Sequence, residues 1–159
     1  MSPARTLDEL LIRAAISDVV LRYAAAVDGR DWELFASCFT DPVFINFVSF
    51  SPTAAEEMPR SAWVARVRSL IPGFDATQHL SSNHDITIAT DGSATCVSAM
   101  QATHVLDDSV AVLGGFYTNQ LVRAADRTWR IESCTLTVTW RTGDQGLFAL
   151  ARERASASG

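Results

Sequence analysis

The chain has 159 residues, with 18 acidic and 13 basic side chains and a formal net charge of −5. Every basic residue is an arginine, so chemistry that needs a lysine amine, such as Schiff-base formation or a lysine phosphate loop, is excluded. The mild acidity also argues against a nucleic-acid partner, which selects a basic face.

The length fits one domain, predicted to span residues 1–159 with an ordered core at about 6–150. Cys38, Cys96 and Cys134 are odd in number and form no CxxC pair, which favours reduced thiols in a cytoplasmic protein. The N-terminus lacks the features of a secretory signal, and no apolar run is long enough to cross a membrane.

The N-terminal half reads as helical. Apolar residues at helical spacing predict a first helix over 7–28, which Thr6 caps and Gly29 ends. Asp31 caps a short helix over 32–39. A strand over 43–50 and a loop over 51–60 follow, and then Ser61 caps a helix over 62–70.

Four long strand-like runs occupy about 77–89, 93–106, 110–124 and 128–140, joined by short hairpin connections. The tail after Asp144 is predicted to form a brief helical turn, and residues 155–159 are predicted to fray. Three helices followed by a meander indicate an α+β fold, in which a curled antiparallel sheet and the helices enclose a cone-shaped pocket.

Residues for acid–base chemistry are few. The chain has three histidines, His79, His84 and His104, all in the strand region, and Asp28 stands at the end of the first helix. A histidine is a base of near-neutral pKa without tuning, and a buried carboxylate fixes its tautomer. Tyr23, five residues before Asp28, has a hydroxyl suited to hold a carbonyl oxygen, although such a tyrosine is more often part of the core.

His104 alternates with the small or apolar residues Cys96, Ser98, Met100 and Ala102, so it is predicted to face inward, either in a site or as a satisfied core histidine. His79 and His84 are five residues apart and face opposite sides of a regular strand, unless a bulge near Ser81 changes the parity. At most one of these two is therefore expected at the same cavity as His104.

Other kinds of site find little support. No HxH, HxxE or HExxH spacing indicates a metal, and no GxSxG elbow indicates a serine hydrolase. Neither a metal nor a cofactor is predicted.

The run from Arg22 to Trp32, followed by Phe39-Thr40-Asp41, resembles the opening of SnoaL-like proteins in the nuclear-transport-factor-2-like superfamily. Four later segments resemble the long strands of that group, and the similarity covers about residues 6–144. The segments are Thr77–His84, Gly114–Tyr117, Trp129–Ile131 and Trp140–Asp144. The resemblance is specific for fold and weak for function, because the superfamily holds dehydratases, isomerases, cyclases and non-catalytic subunits.

Within the superfamily, the site is most similar to that of scytalone dehydratase, which implies catalytic roles for Asp28, His79 and His104. Bile-acid dehydratases have a tyrosine at the spacing of Tyr23. Scytalone dehydratase has a tyrosine directly before its aspartate, where this chain has Val27, so that enzyme's tyrosine pair is not evident here. The candidate substrate contacts are Asn83, His84, Val27, Met100, Phe116 and Trp140.

These features imply a cofactor-free lyase or isomerase, dehydratase-like, acting on a small hydrophobic oxygenated substrate of polyketide or steroid type. A SnoaL-like cyclase of natural-product biosynthesis is one alternative, and a non-catalytic ligand-binding or assembly subunit is another. The outer sheet face, with Thr135, Thr137 and Thr139, resembles faces that pack against a second copy in this superfamily, so a homodimer is expected.

Overall fold

The computed structural model describes residues 6–157. Its four α-helices are α1 (Leu7–Gly29), α2 (Trp32–Ser37), α3 (Arg60–Arg68) and α4 (Leu147–Ala157), with a 3₁₀ turn at Ile71–Gly73. The predicted caps of the first two helices are present, since Thr6 accepts from the Glu9 backbone N–H and Asp31 from that of Leu34. The prediction that Ser61 caps the third helix is wrong, because α3 begins after Pro59 without a side-chain cap.

Six strands form one curled, unclosed sheet. They are β1 (Phe39–Asn46), β2 (Glu56–Met58), β3 (Ala76–Ile88), β4 (Ala94–Leu106), β5 (Ser109–Arg123) and β6 (Trp129–Gly143), in the order β2-β1-β6-β5-β4-β3. The last four strands form the predicted antiparallel meander.

The sheet is mixed rather than wholly antiparallel, because β1 runs parallel to β6. The segment predicted as a loop over 51–60 contains β2, which pairs antiparallel with β1 through Val43 and Met58. Alternation along one strand predicts its faces but not the direction of its partner, so the parallel pairing was not visible in the sequence.

The C-terminal segment is the largest departure from the predicted elements. Residues 147–157 form the eleven-residue helix α4, where a brief helical turn and fraying from residue 155 were expected. Residues 158 and 159 of the predicted frayed tail lie outside the described residues. Leu147 and Ala151 of α4 are buried with Phe74, Leu106 and Ala111 in a second small core. Gly73 makes this packing possible, because a Cβ there would lie 1.8 Å from the Ala151 carbonyl oxygen.

The main core lies between the helices and the concave face of the sheet. The buried side of α1 contributes Ile16, Val19, Val20, Tyr23, Ala26 and Val27. Because α1 packs along β3, the C-terminal turn of the helix meets the first half of that strand. This contact places Asp28 beside His79. Within the described residues, no helix is long and apolar enough to cross a membrane.

Candidate active site

A cavity of about 210 Å³ opens on the concave side of the sheet. Four polar side chains of its lining are buried or nearly so: Tyr23, His79, His104 and Tyr117. Apolar residues make up most of the remaining wall, among them Val27 and Met100, which were predicted to contact a substrate. A mostly apolar cleft with a few convergent polar groups is the usual form of a small-molecule site.

Asp28 and His79 form a tightly bonded pair. The Nδ1 atom of His79 lies 2.6 Å from Oδ1 of Asp28, and the backbone N–H of His79 donates to Oδ2 at 2.7 Å. The hydroxyl of Thr77 also donates to the carboxylate, at 2.8 Å. Burial by itself would raise the pKa of Asp28, but these hydrogen bonds outweigh it and hold the pKa below its ordinary value.

The pairing determines which nitrogen of His79 is available for chemistry. A carboxylate can only accept, so Nδ1 of the neutral imidazole carries the hydrogen. The Nε2 atom then holds the free lone pair of a side chain that lines the cavity. This arrangement is that of a general base oriented by a carboxylate.

His104 lies in a different environment. It is 3% exposed and contacts Phe74 and Phe148, with ring centroids 4.8 and 4.7 Å away, while the His79 ring is 5.4 Å away. Burial, followed by repulsion from a charged His79, lowers the pKa of His104 to about 3. The ring is therefore neutral near pH 7, and its Nδ1 has no hydrogen-bond partner among the described residues.

Two tyrosine hydroxyls meet in the cavity wall. The Tyr23 hydroxyl lies 3.3 Å from that of Tyr117, and the rings pack edge to face at 5.6 Å. Burial is the main cause that raises the pKa of each phenol well above its ordinary value. Both groups therefore remain protonated and can donate hydrogen bonds.

Tyr117 was missed by the sequence analysis, which selected its neighbour Phe116. Strand alternation contained the signal, because Leu113 and Tyr117 share one face of β5 and both line the cavity. Phe116 points to the opposite, outer face and is 36% exposed. The structure therefore does not place it at the cavity.

Trp140 also lies away from the cavity, with 47% of its surface exposed. Leu136 and Val138 continue the inward face of β6, and regular alternation would extend it to Trp140. A bulge intervenes, since Gly115 pairs with Val138 whereas Gly114 pairs with Trp140. The additional residue turns the indole onto the outer face, where it covers Gly114 so closely that a Cβ would lie 1.9 Å from the ring.

A second bulge governs the remaining two predicted contacts. The pairing of β3 with β4 shifts between Ser82 and Asp85, and Asn83 has a positive φ of 53° there. The bulge brings His84 to the same side of β3 as His79, but His84 lies between the hydroxyls of Ser17 and Ser81 rather than at the cavity. Burial lowers the pKa of His84. Asn83 is exposed and does not line the cavity.

The C-terminal helix supplies two lining residues that the sequence analysis also missed. Phe148 and Arg152 stand one helical turn apart on α4, and both face the cavity. The sequence analysis predicted only a brief helical turn after the last strand, so it gave no reason to place Phe148 or Arg152 at the cavity.

Other nucleophiles and ligands in the described part of the chain are unsuited to a second chemistry. The three cysteines are free and buried, and burial raises the pKa of Cys38 and of Cys96 to about 11. Between residues 6 and 157, no group of three or more His, Cys, Asp or Glu side chains has an arrangement that would hold a metal ion.

The profile of the SnoaL-like domain matches residues 8–135. The chain belongs to the SnoaL-like family. A search of curated proteins found no significant relative.

Several solved structures match most of the chain. The protein Kfla4162 from Kribbella flavida is 32% identical with a TM-score of 0.79, over 88% of this chain and 96% of that one. A scytalone dehydratase-like protein from Novosphingobium aromaticivorans is 22% identical with a TM-score of 0.75, over 86% and 89% of the two chains.

The hexachlorocyclohexane dehydrochlorinase LinA-type3 from Novosphingobium barchaimii is 18% identical with a TM-score of 0.74, over 88% and 94% of the chains. At these identities the second and third likenesses show the nuclear-transport-factor-2-like fold alone. They agree with the SnoaL-like assignment.

Proposed function

We propose that this SnoaL-like protein is a cofactor-free acid–base lyase or isomerase of dehydratase type, with His79 as its general base. The observation that carries the proposal is the 2.6 Å contact between His79 Nδ1 and Asp28 Oδ1 beside the cavity. The part-buried carboxylate also accepts two further hydrogen bonds, so it is held in the position that orients the imidazole.

In the proposed reaction, Nε2 of His79 removes a proton from a carbon next to a carbonyl group. Asp28 stabilises the imidazolium that forms, and the electron pair moves onto the carbonyl oxygen as an enolate. The hydroxyl of Tyr117 is placed as a donor for that oxygen, because it stays protonated and lines the cavity. The Tyr23 hydroxyl donates to Tyr117 and so orients it.

In a dehydration, the enolate re-forms the carbonyl as the β-hydroxyl departs, and the imidazolium of His79 returns the proton so that water leaves. In an isomerisation, the same proton is returned to a different carbon. His104 is neutral near pH 7 and serves as a hydrogen-bond partner for the hydroxyl rather than as the base.

The cavity volume restricts the substrate. At about 210 Å³ it exceeds the roughly 150 Å³ of an engineered protein cavity that holds one benzene ring. It is below the range of about 300–1,000 Å³ that is typical of pockets for drug-sized molecules. We therefore propose a compact ketone of one or two rings, in preference to a steroid.

The test is a mass-spectrometric screen of small cyclic β-hydroxy ketones in heavy water. Deuterium incorporation next to the carbonyl reports proton abstraction. After allowance for the deuterium gained, a product lighter by one water indicates a dehydratase, and a product of unchanged composition indicates an isomerase or cyclase. His79→Gln should lower the rate by about 10²–10⁴-fold.

His84→Gln is the matched control, because His84 lies on the same strand and outside the cavity. It should retain the wild-type rate. Equal rates for His79→Gln and the wild type would reject His79 as the base. A protein that binds these ketones with no exchange at all would be a binding module rather than an enzyme.

A further inference from the structure

The mouth of the cavity carries positive charge. Arg66 of α3 and Arg152 of α4 both line it, although most of the other lining residues are apolar or uncharged. Arg66 is already neutralised, because its guanidinium lies 2.6 Å from Oε1 of Glu56. Arg152 forms no ion pair or side-chain hydrogen bond with any residue between 6 and 157.

The helix that carries the unpaired Arg152 guanidinium is packed firmly against the rest of the protein. Ala151, its neighbour in the chain, is fully buried, and the close approach of Gly73 holds the helix backbone in place. Phe148, one turn earlier on the same face, packs against His104 with ring centroids 4.7 Å apart. One face of α4 therefore offers an apolar contact near His104 and an unpaired cation at the entrance.

The Arg152 cation is opposite in sign to the net charge of the chain. The whole chain has a net charge of −5, which repels anions from most of the surface. An unpaired arginine at the mouth of a largely apolar cavity offsets that repulsion at one point. It also presents a planar fork of donors that matches an oxyanion.

We propose that Arg152 binds an anionic oxygen group of the substrate, so that the ligand is a small amphipathic acid. Its ring portion would lie in the cavity beside His79 and His104, and its carboxylate or phosphate at the entrance. This inference rests on the proposed function and narrows its substrate class. It adds a negative end to the small hydrophobic oxygenated substrate that the sequence suggested.

The test measures binding of three non-reactive probes by calorimetry at low salt: phenylbutanoate, the neutral phenylbutanamide, and phenylbutyl phosphate. The wild type should bind the better of the two anions about three- to tenfold more tightly than the amide. Tighter binding of phenylbutanoate would indicate that the charged group of the ligand is a carboxylate. Tighter binding of phenylbutyl phosphate would indicate that it is a phosphate. Added salt should reduce the preference.

Arg152→Gln should abolish the preference for the anion and leave the affinity for the amide unchanged, while Arg152→Lys should restore part of it. Arg68→Gln is the matched control, because Arg68 is an exposed arginine of α3 that lies outside the cavity lining and has no ion pair among the described residues. Arg68→Gln changes the net charge of the protein by the same amount as Arg152→Gln, and this variant should keep the preference for the anion.

Two results would overturn the proposal: a wild type that binds neither anion more tightly than the amide, or an Arg68→Gln variant that loses the preference as fully as Arg152→Gln. The deuterium-exchange assay on His79→Gln reads out the proposed function separately. An anion preference that depends on Arg152, found in a protein without exchange activity, would uphold this inference and reject the enzyme.

Discussion

Replacing Asp28 by asparagine removes one negative charge and changes the hydrogen-bond pattern around His79. The carboxylate accepts from the Thr77 hydroxyl, the His79 backbone and His79 Nδ1. The backbone N–H of His79 can only donate, so the amide oxygen of asparagine takes the place of Oδ2. The NH₂ group then takes the place of Oδ1, where it faces the Thr77 hydroxyl and Nδ1 of His79. His79 must consequently present an unprotonated Nδ1, which moves the hydrogen to Nε2 and removes the free lone pair at the cavity.

We expect Asp28→Asn to lower the rate of proton abstraction by about 10²–10⁴-fold, the range found when a base is lost or held in the wrong tautomer. The stability effect is smaller. A hydrogen bond to a charged group contributes about 1.5–3 kcal/mol and a neutral one about 0.5–1.5 kcal/mol, so the exchange costs about 1–2 kcal/mol. That cost corresponds to a decrease in Tm of about 2–8 °C.

The stability difference between wild type and Asp28→Asn should depend on pH. The folded-state pKa of Asp28 lies below its ordinary value of 3.8, so its contribution is complete above about pH 4. It is lost as the pH falls through the lower, folded-state pKa. The two Tm values should therefore approach each other in acid, while they stay separated near neutrality.

Three measurements check this prediction: exchange rates, thermal melts across pH, and the tautomer of His79 by long-range ¹H–¹⁵N NMR, which needs no substrate. Asp18→Asn is the control, because Asp18 is an exposed residue of the same helix with no partner among the described residues. A variant Asp28→Asn with wild-type exchange rates and an Nδ1–H tautomer would refute the argument that Asp28 orients His79.

Three further substitutions test the surrounding structure. His104→Phe should keep the free energy of unfolding or raise it by up to about 1 kcal/mol, because it removes a buried nitrogen that has no hydrogen-bond partner among the described residues. The same substitution should lower turnover at least about tenfold. A loss of turnover that merely follows a loss of Tm would identify His104 as core. Tyr117→Phe should change stability by less than about 1 kcal/mol, since the lost hydrogen bond is a long one, while activity falls by about 10²-fold; unchanged activity would remove Tyr117 from the site. Gly73→Ala should destabilise the protein by about 1–3 kcal/mol through collision with Ala151, whereas Gly29→Ala, with nothing near its added methyl group, should not; equal melts would contradict the packing of α4.

Much of the fold is readable in the sequence because its signals are local. The caps of α1 and α2, the hairpin connections and the alternation along β4 depend on residues a few positions apart, and the structure agrees with all of them. The pairing of Asp28 with His79 was available only through the family resemblance. The two residues are far apart in sequence, and no local pattern reports that α1 packs along β3.

The sequence alone determined the small set of groups able to transfer protons, since a chain without lysine and with three histidines leaves few choices. Tertiary structure decided which of them meet. Bulges near Asn83 and before Trp140 each insert one residue into a strand, and every side chain beyond the bulge changes face. Contacts between strands stabilise such bulges, so alternation read from the sequence cannot locate them. The position of α4 could not be read from the sequence either, because it depends on the contact between Gly73 and Ala151, which are distant in the chain. For the same reason the sequence did not indicate that Arg152 lies at the cavity mouth.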